Sequence, residues 1–257
     1  MGFWSKLHLL TVIPTFVGFI IIALLLRKLL IKKSYKIKML PIKIIAVIVI
    51  LIEFGKQLCS ILIGYDLYHL PFHFCSIFVY VLPLFAFYTG KGKNYVKSFS
   101  TATMSVLFIG MLVMPEVIYS YERIETFFTD YLSFHTVFFH NIVILTLFII
   151  IALDLHKPTG CGREVAFIII ASSVFVAVAI TASHLLDTNY SNFLHSTVSI
   201  VKTLYSSLSA KIGETPTMLI YTFALAVLHV LIILLFNYVN LAVCKIKEKF
   251  IKIDGKC

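Results

Sequence analysis

Apolar runs of about twenty residues, repeated along almost the whole chain, constrain this sequence more than any other feature. They fall at 8–31, 39–63, 70–89, 96–118, 134–153, 165–186 and 217–243. Each matches the hydrocarbon thickness of a bilayer, where a helix needs about 20 apolar residues. Backbone groups in lipid have to bond within the protein, so runs of this length are expected to be helices. Composition removes the soluble alternative: 60% of the residues are hydrophobic and 13% charged. A water-soluble domain carries about 25% charged residues. The expected fold class is all-α, a polytopic membrane protein of seven transmembrane helices forming one integral membrane domain over 1–257.

The formal charge of +10 does not indicate nucleic acid, because the basic residues sit in short loops beside apolar runs. Arg27, Lys28, Lys32, Lys33, Lys36 and Lys38 follow the first run, and Lys91, Lys93 and Lys97 follow the third. His156, Lys157 and Arg163 follow the fifth, and Lys245, Lys247, Lys249, Lys252 and Lys256 follow the last. The alternate segments carry Asp66, then Glu122, Arg123, Glu125 and Asp130, then Asp187 and Glu214. By the positive-inside rule the N-terminus is outside and the C-terminus cytoplasmic. The first run is too long for a signal peptide, and its basic cluster follows the apolar stretch. Between the last two runs, Leu194, Val198, Val201, Leu204, Leu208 and Ile212 recur at helical spacing, which predicts an interfacial amphipathic helix over 193–212. Cys161, Cys244 and Cys257 fall on the cytoplasmic side, and Cys59 and Cys75 near the outer face. No zinc-ligand spacing occurs among them.

Ionisable groups inside a span are expensive, so each marks a candidate site. Placed on this topology they gather in the outer half of the membrane. Glu53, Lys56 and Gln57 form a stripe on the second span at i, i+3 and i+4. The third span begins with His69, His73 and Cys75, with the two histidines one helical turn apart. Glu116 closes the fourth span, and His140 and Asn141 lie early in the fifth. Asp187, Asn189 and Tyr190 follow the sixth. The pattern predicts one polar cavity open to the outside, with membrane lipid as the partner it suits. His69, His135, His184 and His195 lie near the interface, where contact with water accounts for them, and His229 reads as a packing residue.

Three chemistries fit these groups. Cys75 activated by His73 or His140 would be a nucleophile for acyl transfer. Histidines with Glu53 or Glu116 would ligate a divalent metal. The same cavity without a nucleophile would bind or transport a polar substrate. A retinal protein is ruled out, since the last run has no lysine for a Schiff base. Neither a cofactor nor an oligomeric state is indicated.

The strings Leu70-Pro71-Phe72-His73-Phe74-Cys75, His140-Asn141-Ile142-Val143 and Asn189-Tyr190 carry a family resemblance. Glu53-Phe54-Gly55-Lys56 and Thr215-Pro216 fit the same order. Over 45–240 the chain resembles the bacterial YwaF-type integral membrane family, which is similar to the eukaryotic transmembrane protein 164 family. That resemblance implies a bacterial cell-membrane protein, and an activity related to phospholipid acyl transfer by a Cys/His pair. His140 matches the histidine of the pair. At the cysteine the chain departs from the pattern: the family's Cys immediately precedes the third-span histidine, where Phe72 stands here. Cys75 lies three residues further on, which on a helix would be nearly the same face.

Overall fold

The computed structural model describes residues 5–196 and 198–254, with side chains described as far as Lys249. Lys252, Lys256 and Cys257, which enter the charge and cysteine readings above, lie outside the described side chains. In chain order the α-helices are α1 (Lys6–Leu30), α2 (Tyr35–Lys38), α3 (Leu40–Ile63), α4 (Phe78–Phe87), α5 (Lys93–Val113), α6 (Tyr121–Glu125), α7 (Tyr131–Ala152), α8 (Gly162–Leu185), α9 (Ser199–Ile212) and α10 (Glu214–Asp254). No strand occurs among the described residues.

Five of these helices, α1, α5, α7, α8 and α10, are long and apolar enough to cross a membrane. Their outward faces are apolar: Leu10, Leu29, Leu219 and Phe223 are all largely exposed. Such faces suit lipid and would be an aggregation surface in water. α3 is equally long, 24 residues, but carries Lys43, Glu53 and Lys56. Its outward face is apolar too, while Glu53 and Lys56 turn inward.

The expected helix over 70–89 forms only in part. Leu70 precedes a proline, which disfavours the α region, and it is extended at φ −61°, ψ 145°. His73 is also extended, a 3₁₀ turn runs over Phe74–Ile77, and regular helix begins only at Phe78. The ten residues of α4 span about 15 Å at 1.5 Å per residue, half a hydrocarbon core. His69 and His73 are therefore not stacked on one helix face, and Phe72 and Cys75 do not share one either. Two other boundaries shift. The fourth run ends as helix at Val113, with Glu116 on a separate 3₁₀ turn. The last helix continues past its apolar run to Asp254. The expected amphipathic segment is helical over Ser199–Ile212 and buries none of its residues.

α5 is the central helix, packed against α4, α7, α8 and α10. Its small polar residues make that possible. Ser98, Ser100, Thr101, Thr103 and Ser105 are all buried, and small side chains let neighbouring backbones approach. Their hydroxyls are satisfied locally, as in Ser100 Oγ to the Val96 carbonyl (2.8 Å) and Thr103 Oγ1 to the Phe99 carbonyl (3.0 Å). Phe78, Phe85, Phe139 and Ile144 fill the apolar core around this helix, together with its own Met104.

Polar contacts tie the two ends of the bundle. At one end Asp154 joins α1 to α10, accepting from Arg27 at 3.2 Å and Lys247 at 2.5 Å. Burial alone would raise the Asp154 carboxyl, but Lys247 and Arg27 outweigh it and hold the group below its usual range. At the other end His8 bonds the Tyr119 carbonyl (3.1 Å), the Tyr190 hydroxyl donates to the Leu67 carbonyl, and Tyr221 donates to the Asn192 carbonyl (2.5 Å).

Candidate functional site

At this second end lies a cavity of 460 Å³. Its walls come from α3, the segment 68–76 that precedes α4, the last turns of α5, the start of α7 and the loop 189–192. The lining is mixed, with the polar Glu53, Lys56, His69, Arg123, His135 and His140 and the apolar Val106, Leu107, Met111, Met114 and Phe139.

Glu53 organises the polar residues. Its Oε1 accepts from Lys56 Nζ (2.6 Å) and Gln57 Nε2 (2.9 Å), and its Oε2 accepts from His135 Nε2 (3.0 Å). Gln57 links outward, donating to the His69 carbonyl (2.8 Å) and accepting from the Tyr65 hydroxyl (2.7 Å). The hydroxyl of Ser60 and His69 Nδ1 are hydrogen-bonded at 2.7 Å. Close approach of α7 requires Gly55: a Cβ there would run into the ring and hydroxyl of Tyr131, which donates to the Ile52 carbonyl at 3.0 Å.

His73 and His140 both line the cavity, but their ring nitrogens are used differently. His73 Nδ1 accepts from the Ser191 N–H at 3.5 Å, so Nε2 carries the proton and donates to the Tyr68 carbonyl at 3.0 Å. Its ring also packs against Tyr68 and Tyr190. His73 therefore clamps two loops together. His140 donates from Nδ1 to the Thr136 carbonyl at 2.5 Å. That leaves Nε2 as an acceptor, and it has no hydrogen-bond partner among the described residues.

The other expected site residues divide. Cys75 and Asn189 line the cavity. Asn189 shapes its loop, accepting from the Leu194 and His195 N–H groups at 3.0 and 3.2 Å. Tyr190 is fully buried beneath Phe72 and His73. Asn141 turns away, accepting from the Tyr119 hydroxyl (2.5 Å) and donating to the Val137 carbonyl (2.8 Å). Glu116 and Asp187 are exposed and stand outside the cavity lining. His229 donates to the Leu225 carbonyl (2.8 Å) and packs against Phe74 and Phe193. Cys59 and Cys75 are both free thiols.

His135 is the residue that sequence reasoning assigned to the wrong environment. It is 7% exposed and completes the Glu53 carboxylate. Lys56 and Gln57 both reach Oε1 from the same helix, which leaves Oε2 in need of a donor from a neighbouring one. Arg123 and Tyr68 were also passed over as cavity residues, because both lie between the apolar runs, Arg123 on the short α6 and Tyr68 on a 3₁₀ turn. Among the described residues, no group of three or more His, Cys, Asp or Glu side chains is placed to hold a metal ion.

These features define an all-helical membrane protein with a polar cavity near one end of its bundle. The chain belongs to the TMEM164 family, whose family model matches residues 3–236. No curated protein and no solved structure matches it.

Proposed function

We propose that the protein is a lipid-directed enzyme of the acyl-transfer class, with Cys75 as nucleophile and His140 as its base. The observation that carries this reading is the His140 tautomer. Its proton is committed to the Thr136 carbonyl, which leaves Nε2 as an acceptor, and His140 lines the same cavity as Cys75. A volume of 460 Å³ lies within the roughly 300–1,000 Å³ of ligand sites. Lys56 and Arg123 suit a phosphate head group, and Leu107, Met111 and Phe139 suit an acyl chain. Glu53, Gln57, Asn189, Tyr190 and His73 act as supports that hold this wall in place.

In the reaction His140 Nε2 takes the thiol proton as sulfur bonds to the ester carbonyl carbon of a membrane lipid. The carbon–oxygen bond to the glycerol breaks, and the departing oxygen recovers the proton from His140. A thioester on Cys75 remains. An acceptor hydroxyl then gives its proton to His140, attacks the thioester and releases the thiol with that proton restored.

Single-cysteine proteins test the nucleophile, with the exposed Cys161 removed. A chain keeping only Cys75 should react with a thiol electrophile far faster than one keeping only Cys244. Cys75→Ser should abolish acyl exchange in proteoliposomes, and His140→Ala should lower it about 10²–10⁴-fold. Equal, slow labelling of the two thiols would end the nucleophile assignment. It would favour the second reading, a non-catalytic lipid-binding or transport protein. Phe72, standing where the family's cysteine is expected, already speaks for that reading.

The same proposal places the protein in a bacterial cell membrane with seven crossings, counting α3 and the broken segment ending in α4. The cavity then opens to the outer leaflet. A cysteine at Ser5 or within 122–130 should be labelled in intact cells by an impermeant reagent, and one at 32–38 should not. Labelling in the opposite sense would move the cavity to the inner leaflet.

A further inference from the structure

A second cavity, of 570 Å³, lies at the opposite end of α5. Its lining contains Lys36, Lys43, Lys93, Lys97 and Lys157 and a single carboxylate, Asp154. That carboxylate is already engaged by Arg27 and Lys247, and Lys157 pairs with Glu248 at 2.7 Å, so Lys36, Lys43, Lys93 and Lys97 stand outside the ion pairs among the described residues.

Two independent features show that this charge is built in. Lys97 is only 7% exposed, and none of the ion pairs among the described residues includes it. Its ammonium donates to the Tyr35 hydroxyl and lies 4.9 and 5.2 Å from the ring centres of Tyr35 and Phe85. Ring faces attract a cation but do not cancel its charge, and a buried unpaired ion is costly. Lys93 and Lys97 also occupy the first turns of α5, where no acidic residue offsets them. A helix N-terminus carries positive partial charge and free N–H donors, so cations there are unfavourable and an anion is welcome. His156 adds no charge of its own. Burial pushes it down to about 4 against the pull of Glu164, with Lys97 adding to the shift, and it is hydrogen-bonded to Ser98 Oγ at 2.8 Å.

We infer that this basic end binds a phosphate-bearing anion, which bridges the Lys93 and Lys97 ammonium groups at the N-terminus of α5. The site is separate from the Cys75 cavity and does not depend on acyl transfer. A multiply charged tetrahedral group matches several converging ammonium donors better than one carboxylate does. Such a group is carried either by an anionic phospholipid or by a soluble phosphate compound.

The full chain in neutral detergent distinguishes these sources by its melting temperature. One arm titrates sodium phosphate against sodium chloride at matched ionic strength, and the other replaces phosphatidylcholine with phosphatidylglycerol. A saturable rise in either arm is expected. A rise with phosphate alone marks a soluble ligand; a rise with phosphatidylglycerol alone marks a lipid head group. Lys93→Gln, at an exposed position that should not disturb folding, should weaken half-saturation roughly tenfold, while Lys202→Gln leaves it unchanged. No saturable shift in either arm, or a Lys93→Gln protein that responds like the parent, would overturn the inference.

Discussion

Glu53→Gln, made alone, is expected to lower the unfolding free energy of the detergent-solubilised protein by about 3–5 kcal/mol. Glu53 and Lys56 are 6% and 8% exposed and lie 2.6 Å apart. Removing the carboxylate charge leaves a buried ammonium without its counter-ion. Lys56→Met should cost a similar amount for the mirror-image reason. The double variant should recover much of the loss, because the glutamine carbonyl can still accept from His135 while no charge is left unpaired. Denaturant midpoint and slope together measure the effect. Acyl exchange in the double variant then separates support from chemistry: restored stability with activity intact means that the pair only holds the wall in place. Two mild single variants would show instead that water in the cavity solvates both charges.

The second large effect is expected at Glu164, which is fully buried on the first turn of α8. Its two oxygens accept from the Thr159 N–H (3.2 and 3.0 Å), the Thr159 hydroxyl (2.8 Å), the Gly160 N–H (3.0 Å) and Asn237 Nδ2 (3.1 Å). One side chain thus caps the turn before α8 and anchors α10. Glu164→Ala leaves the fully buried Asn237 amide without this acceptor, at about 1–3 kcal/mol, and frees the less buried Thr159 and Gly160 donors of the turn. The damage should concentrate where α10 meets α8, read as faster hydrogen exchange around Asn237. Uniform exchange across all the helices would contradict this local role.

Hydrophobic run length was enough to locate most of the architecture. α1, α3, α7 and α8 begin and end within a few residues of the apolar runs, because the energetic cost of polar backbone in lipid acts on every residue alike. The third run was not legible in this way. Its hydropathy is continuous, but Pro71 and the backbone hydrogen bonds of His73 decide conformation locally, and an average over twenty residues does not register them. The end of α10 shows the opposite error. The apolar run stops near Val243, but helix propensity continues through Lys245, Lys247 and Glu248, so the helix outlasts the span. Within the site, Glu53, Lys56, Cys75 and His140 were accessible from sequence because intramembrane polarity is rare. His135 was not, since its place on the Glu53 carboxylate depends on how α3 meets α7. Glu116, Asn141 and Asp187 met the same polarity criterion and yet stand outside the cavity, because polarity alone does not specify direction.

The cavity wall has a consequence for the order in which the protein is made. Residues 67–75 meet Tyr190 and Ser191 across the chain, through the Leu67 carbonyl, the Phe72 carbonyl and the His73 ring. A ribosome adding about 5–20 residues each second needs roughly ten seconds between these two stretches. Throughout that interval the nascent chain holds Glu53, Lys56 and Cys75 without the loop that will enclose them. Whatever shields those groups from lipid during synthesis, whether the insertion machinery or a temporary helix pairing, has to release them when residue 191 arrives.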